Sequence, residues 1–296
     1  MPRTIMSFVV IIFLMVGAVS CRGQVPTQPK PTTVTKSPSL DERLLFFPAK
    51  FPEGDWEPKD LKFEDVYFTA EDGTKLHGWY CPAENPRAVV LVAHGNAGHV
   101  ASRASWLRYL QQQLKVSVFM FDYRGYGRSE GIPTVEGVIQ DATAARAKLC
   151  ELARIQEDEM LLMGESLGGA IVVQLAKKSA PRGLILQSTF SSLRDVADFH
   201  YPQLSWLVPA DKLNSAEDIS KFKGALLQSH GSVDQTIPFS SGEKIFKNAN
   251  EPKEFVTIES ADHNNWMTAA YLKKLDQFIQ KLGPARSLEQ EPLRRK

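Results

Sequence analysis

Short apolar runs recur along this chain of 296 residues, and the gaps between them are long enough for a helix. Ala88-Val89-Val90-Leu91-Val92-Ala93 is the first and Val116-Ser117-Val118-Phe119-Met120-Phe121 the second. Met160-Leu161-Leu162-Met163 and Gly183-Leu184-Ile185-Leu186-Gln187 follow. A strand with one face in water alternates apolar and polar residues, whereas a continuous apolar run belongs to a sheet covered on both faces. Helix-like patterns fill 102–114, 135–153 and 167–178, the second with Thr134 as N-cap and Glu136 in its first turn. The alternation resumes with strands at 225–229 and 254–258 and helices at 241–248 and 268–281. Ahead of it, 65–69 and 75–80 read as an antiparallel hairpin around Glu71-Asp72-Gly73. This rhythm predicts an α/β fold with a mostly parallel central sheet and helices on both faces. In such sheets ligands bind beyond the carboxyl ends of the strands.

Residues 190–222 break the rhythm. They carry Phe199, Tyr201, Trp206, Leu207 and Val208, with Pro202 and Pro209. We expect a small lid inserted after a strand, its aromatics either facing a ligand or packing the insert onto the core.

The third apolar run leads into Gly164-Glu165-Ser166-Leu167-Gly168-Gly169, a G-x-S-x-G pattern between strand and helix. A serine on such a turn has its hydroxyl pushed out of the fold, and the glycines allow strand and helix to approach. The hydroxyl is a weak nucleophile until a base activates it. Other strand ends carry the missing parts. The first run opens into His94-Gly95-Asn96-Ala97-Gly98, whose Asn96 N–H, with that of Leu167, is positioned to hold an oxyanion. Asp234 follows the strand ending at Ser229, and His263 follows the last strand. A lone Asp or His is ordinarily a solvated or capping residue; three such residues at three strand ends are a constellation. Asp262 adjoins His263, and neighbouring side chains diverge. His94 reads as structural, and His77, His99 and His200 lack the strand-end context.

Residues from about 60 to 282 resemble an α/β hydrolase, in a small-lid branch similar to depalmitoylase-type α/β-hydrolase-domain proteins and serine aminopeptidase-like hydrolases. The resemblance rests on Ala93-His94-Gly95-Asn96-Ala97-Gly98, on Phe121-Asp122-Tyr123-Arg124-Gly125-Tyr126-Gly127-Arg128-Ser129 and on the serine motif. His230-Gly231-Ser232-Val233-Asp234 and Asp262-His263-Asn264 complete it. It implies the chain order Ser166, Asp234, His263 for a catalytic triad, and a scaffold role for the Asp122 turn. The expected chemistry is hydrolysis of a carboxylic ester or thioester through an acyl-enzyme, with no cofactor or metal. Two other readings stand beside it. An aminopeptidase would need an acidic anchor, for which Glu165 is the candidate; an idle fold would serve as a membrane-tethered binding module.

The amino terminus reads differently. Arg3 precedes an apolar run over 5–19, too short for a comfortable membrane span and suited to a signal-peptide core. Ala18-Val19-Ser20-Cys21 resembles a bacterial lipobox, although Ala18 stands where Leu is usual. We expect a signal segment over 1–21, lipid on Cys21, a Pro/Thr-rich tether over 22–39, the catalytic domain over 40–282 and a loose tail over 283–296. That places the domain in the cell envelope, membrane-anchored or, alternatively, secreted. A net charge of +1 argues against a nucleic-acid partner. Cys81 and Cys150 are compatible with a disulfide or with two free thiols.

Overall fold

The computed structural model describes residues 37–286 and 288. The signal segment, Cys21 and nearly all of the expected tether lie outside the described residues. Among those described, no helix is long and apolar enough to cross a membrane.

Eight strands form one sheet: β1 (Glu64–Thr69), β2 (Lys75–Cys81), β3 (Ala88–Ala93), β4 (Val116–Asp122), β5 (Leu161–Glu165), β6 (Gly183–Gln187), β7 (Ala225–Gly231) and β8 (Lys253–Ile258). Their spatial order is β1-β2-β4-β3-β5-β6-β7-β8. Only β2 runs against the others, pairing antiparallel with β1 on one side and β4 on the other. Every residue of β3 and β4 is buried, as continuous apolar runs require of strands covered on both sides. β1, at the edge, buries Val66 and Phe68 and turns Tyr67 outward. The sequence places β3 third, yet it pairs with both β4 and β5. The strand order therefore reverses on either side of it, and the loops after β3 and β5 meet above the sheet.

The helices are α1 (Leu40–Leu45), α2 (Ala104–Arg108), α3 (Val135–Ala153), α4 (Leu167–Ala176), α5 (Leu193–His200), α6 (Ser215–Asp218), α7 (Phe239–Asn248) and α8 (Ala269–Leu282). Two apolar cores flank the sheet. One holds side chains of α3, α4 and α7, the other those of α2 and α8. All ten residues of α4 are buried, so the helix that follows Ser166 is fixed from every side. Thr134 Oγ1 accepts the Gly137 N–H at 3.1 Å and caps α3 as expected. The segment expected as one helix over 102–114 is instead a 3₁₀ turn, the short α2 and a π turn at Tyr109–Gln113.

Three features depart from expectation. α1 was not anticipated. Ser39 caps it through a reciprocal pair with Glu42, and Lys212 reaches it from the insert, 2.7 Å from Asp41 Oδ2 and 3.4 Å from Glu42 Oε1. The insert is also smaller than 190–222, because α6 joins the body: Ala216, Ile219 and Phe222 are core residues, and Asp218 accepts from Gln174 of α4 and from Lys177 at its C-cap. Finally, the described part of the expected loose tail is tied down. Arg286 N–H donates to Glu159 Oε2 at 3.0 Å and Leu288 N–H to the Arg154 carbonyl at 2.9 Å. Cys81 and Cys150 are both free thiols, and burial pushes them up to about 12 and about 11.

Candidate active site

Ser166 is the residue between β5 and α4, with φ 53° and ψ −115°. A non-glycine residue pays for this backbone conformation, which persists only where the surroundings enforce it. Here they do. The Ser166 N–H donates to the Gln187 carbonyl at 2.8 Å. Gly168 lies against the Ala93 carbonyl and Gly169 against Thr189 Oγ1, so closely that a Cβ on either would collide. The glycines of the motif thus let α4 start directly over β3 and β6 with the serine on the crest.

Asp234 and His263 come together from the loops after β7 and β8. His263 Nδ1 lies 2.8 Å from Asp234 Oδ2, and with a carboxylate as acceptor Nδ1 is the donor, leaving Nε2 with the lone pair. Asp234 Oδ1 is held separately, by the N–H groups of Thr236 at 2.9 Å and Ile237 at 2.8 Å. Burial alone would raise this carboxyl. The hydrogen bonds from His230, from His263 and from the Ile237 N–H outweigh it and hold Asp234 well below the usual carboxylate range. Asp262, set aside as a catalytic acid, joins the two loops: its Oδ1 accepts the N–H of Gln235 at 2.9 Å and that of His263 at 2.8 Å. The link from Ser166 to His263 is not closed by a hydrogen bond. Such bonds are often long without substrate and tighten when it binds.

Asn96 and Leu167 line the same cavity as Ser166. Neither main-chain N–H is taken by an acceptor among the described residues. The turn that carries Asn96 is braced. Its carbonyl accepts from Tyr126 Oη at 2.7 Å and from the Phe47 N–H at 3.0 Å, and its Nδ2 donates to the Leu45 carbonyl at 3.0 Å. Tyr123 Oη donates to the His94 carbonyl at 2.8 Å. The Asp122-to-Ser129 segment is therefore scaffold directly under the turn. Arg124 within it is paired with Asp141 at 2.8 Å and Asp72 at 2.7 Å.

The cavity has a volume of about 300 Å³. Its walls are mostly apolar: Leu44, Leu45 and Phe47 on one side, Phe190, Leu193, Val196, Ala197 and Val208 from the insert on the other, and Ile237 behind. His200, which lacked a strand-end context, also lines it and lies with Nε2 2.8 Å from the Thr236 carbonyl. Glu165 does not line it; its carboxylate lies 3.5 Å from Arg103 Nε. Sequence reasoning missed the 44–47 wall and the part of His230, whose Nε2 lies 2.9 Å from the Ile237 carbonyl and 3.5 Å from Asp234 Oδ2. The only signal for His230 was its position four residues before the acid. No group of three or more His, Cys, Asp or Glu among the described residues is arranged to hold a metal ion.

A family model described as serine aminopeptidase, S33 matches residues 84–216. Protein YfhR of Salmonella typhi is 33% identical over 232 residues, which cover 72% of this chain and 79% of that protein. The α/β-hydrolase domain-containing protein WAV2 of Arabidopsis thaliana is 30% identical over 286 residues, 88% of this chain and 90% of its own. The human α/β-hydrolase domain-containing protein 17B is 31% identical over 196 residues, 66% of this chain and 67% of its own. Among solved structures, the Pyrococcus furiosus esterase Pf2001 matches with a TM-score of 0.65 at 19% identity, covering 79% of this chain and 98% of that one. Acetyl xylan esterase 1 from Thermoanaerobacterium sp. JW/SL YS485 matches at 0.61 and 17% identity, covering 77% and 86%. At these identities the structural likeness concerns the fold. The chain belongs to the α/β-hydrolase superfamily, and hydrolase activity comes with that membership.

Proposed function

We propose that the protein is a serine hydrolase that cleaves carboxylic esters with an apolar acyl group through an acyl-enzyme. The observation that carries this reading is the strained Ser166, open to an apolar cavity that it shares with two unused N–H groups. His263 Nε2 takes the Ser166 proton as Oγ attacks the acyl carbonyl. Asp234 fixes the imidazole and offsets the charge it gains. The N–H groups of Asn96 and Leu167 hold the oxyanion, each such donor being worth about 10²–10³ in rate. The alcohol leaves with the proton from His263, and water, activated by the same base, frees the acid. A thioester would pass through the same steps with a thiol leaving.

Peptidase chemistry on a free amino terminus would want an unpaired carboxylate in the cavity. Glu165 faces Arg103 instead, and Asp41, the acid at the cavity wall, is bonded to Lys212. For location we propose the cell envelope, with the chain held to a membrane through Cys21 or the apolar run before it.

A fluorophosphonate probe tests the nucleophile. Covalent labelling of the wild type that is lost in Ser166→Ala, with an unchanged circular dichroism spectrum, is the expected result. Folded wild type that stays unlabelled refutes the reading. On p-nitrophenyl esters we expect activity to peak at acyl chains of about four to eight carbons, as a small apolar pocket dictates, and to exceed that on amino-acid anilides.

A further inference from the structure

Large apolar side chains left in water are unremarkable one at a time, but a contiguous set marks a contact surface. Nine of the fourteen exposed among the described residues fall in two segments, 40–51 and 199–207. The two segments face each other across the cavity mouth. Leu44 and Phe47 from the first and Tyr201 from the second line the cavity, and Leu207 lies with Ser39 and Lys212 in the adjoining depression. Trp206 is 71% exposed on the 3₁₀ turn Ser205–Leu207, and its Nε1–H is satisfied locally by the Gln203 carbonyl, three residues back, at 3.1 Å. The indole therefore presents an apolar body with no polar demand of its own. Leu204 and Leu207 flank it, both about half exposed.

We propose that this rim docks into the surface of a lipid bilayer, so that the mouth above Ser166 opens toward apolar esters held in the membrane. The inference rests on the membrane-tethered reading. α1, which carries Leu40 and Leu44, is the first element after the Pro/Thr-rich residues 22–36 that follow Cys21. That stretch reaches no more than about 50 Å even when fully extended. An anchored chain thus holds the mouth near the bilayer, and an aromatic and aliphatic rim is the chemistry that enters the boundary between headgroups and acyl chains.

The other four tryptophans, Trp56, Trp79, Trp106 and Trp266, are all buried. A lipid-borne quencher therefore meets Trp206 directly, and reaches Trp56 only across Phe51, whose ring packs against it at 5.5 Å. The test uses the full chain from membranes, reconstituted into phosphatidylcholine vesicles with brominated acyl chains. The expected result is partial quenching of tryptophan emission, with the quenched component missing in Trp206→Phe. Trp206→Glu combined with Leu204→Glu should cut hydrolysis of a vesicle-embedded ester about tenfold and leave a soluble short-chain ester unaffected. Protein that floats with the vesicles but is not quenched overturns the docking and leaves the tether standing. Protein that does not float at all overturns the tether, and the docking with it. A rim that instead joins two copies, seen as a dimer dissolved by the double glutamate variant without any quenching, also overturns the proposal.

Discussion

His263 and His94 stand at the same carboxyl edge of one sheet, each near an aspartate, and their surroundings divide them. His263 Nδ1 is 2.8 Å from Asp234, and the residue keeps 8% of its surface exposed. His94 is sealed. Its Nδ1 donates to the Gly95 carbonyl at 2.7 Å, and its Nε2 has no hydrogen bond and faces Asp122 Oδ1 at 3.8 Å. Burial, only partly opposed by the Asp122 charge, lowers its pKa to about 4. An imidazole becomes a useful base when a carboxylate grips one nitrogen and the other is left for substrate. Without the grip and the opening it is a polar core residue, so proximity of His to Asp is not by itself a sign of chemistry.

The sharpest way to break this comparison is to exchange the consequences of losing each ring. His263→Ala should lower kcat/KM by at least about 10⁴-fold with little change in melting temperature. Asp234→Asn should follow closely, at about 10⁴-fold, through the wrong tautomer. His94→Asn should do the reverse, losing about 1–3 kcal/mol of stability while keeping activity within about tenfold. If His94→Asn abolishes activity in protein that melts normally, the assignment of His94 to structure is wrong.

Acid separates the two pairs next. With the folded His94 near 4 and the unfolded ring near 6.5, the unfolded chain binds the extra proton throughout that window. Its contribution is complete above pH 6.5 and is lost as the pH falls toward 4. Asp234 is also depressed, but as a carboxylate it holds its contribution down to its ordinary range near 3.8 and loses it only below. Urea unfolding at pH 7 and pH 5 should therefore show a loss about 2 kcal/mol larger in wild type than in His94→Asn. Equal losses would mean that the native fold admits a proton to His94 above pH 5.

The two histidines also mark how far a sequence reaches. Strand runs, the serine elbow and the loops bearing Asp234 and His263 were legible because each joins a local pattern to a strand end, and topology carries strand ends to one edge. The cavity wall was not. Leu44, Leu45 and Phe47 belong to a six-residue helix and a two-residue strand, Phe47–Pro48, both too short to carry a periodicity. They reach the site because Lys212 and the Asn96 turn hold them there, contacts between residues far apart in the chain. The insert was overdrawn for the same reason: nothing local distinguishes α5, which covers the cavity, from α6, which belongs to the body.

The smallest expected effect concerns that wall. Lys212 is largely buried between Asp41 and Glu42, and the pair of acids is the main tie from the insert to α1. Both carboxyls are lowered from their ordinary values, with burial opposing and the Lys212 contacts among the groups that prevail. Lys212→Ala should cost about 0.5–1 kcal/mol, as ion pairs near a surface do, seen as a drop of a few degrees in melting temperature. Because α1 supplies one side of the cavity beside Ser166, its loosening should, on the proposed function, raise KM about threefold for the best ester while kcat holds. Lys212→Arg keeps the charge and should restore most of both. A Lys212→Ala enzyme with unchanged KM would show that α1 keeps its place through Leu45 and Phe47 alone, and the wall would then belong to the sheet edge and not to the lid.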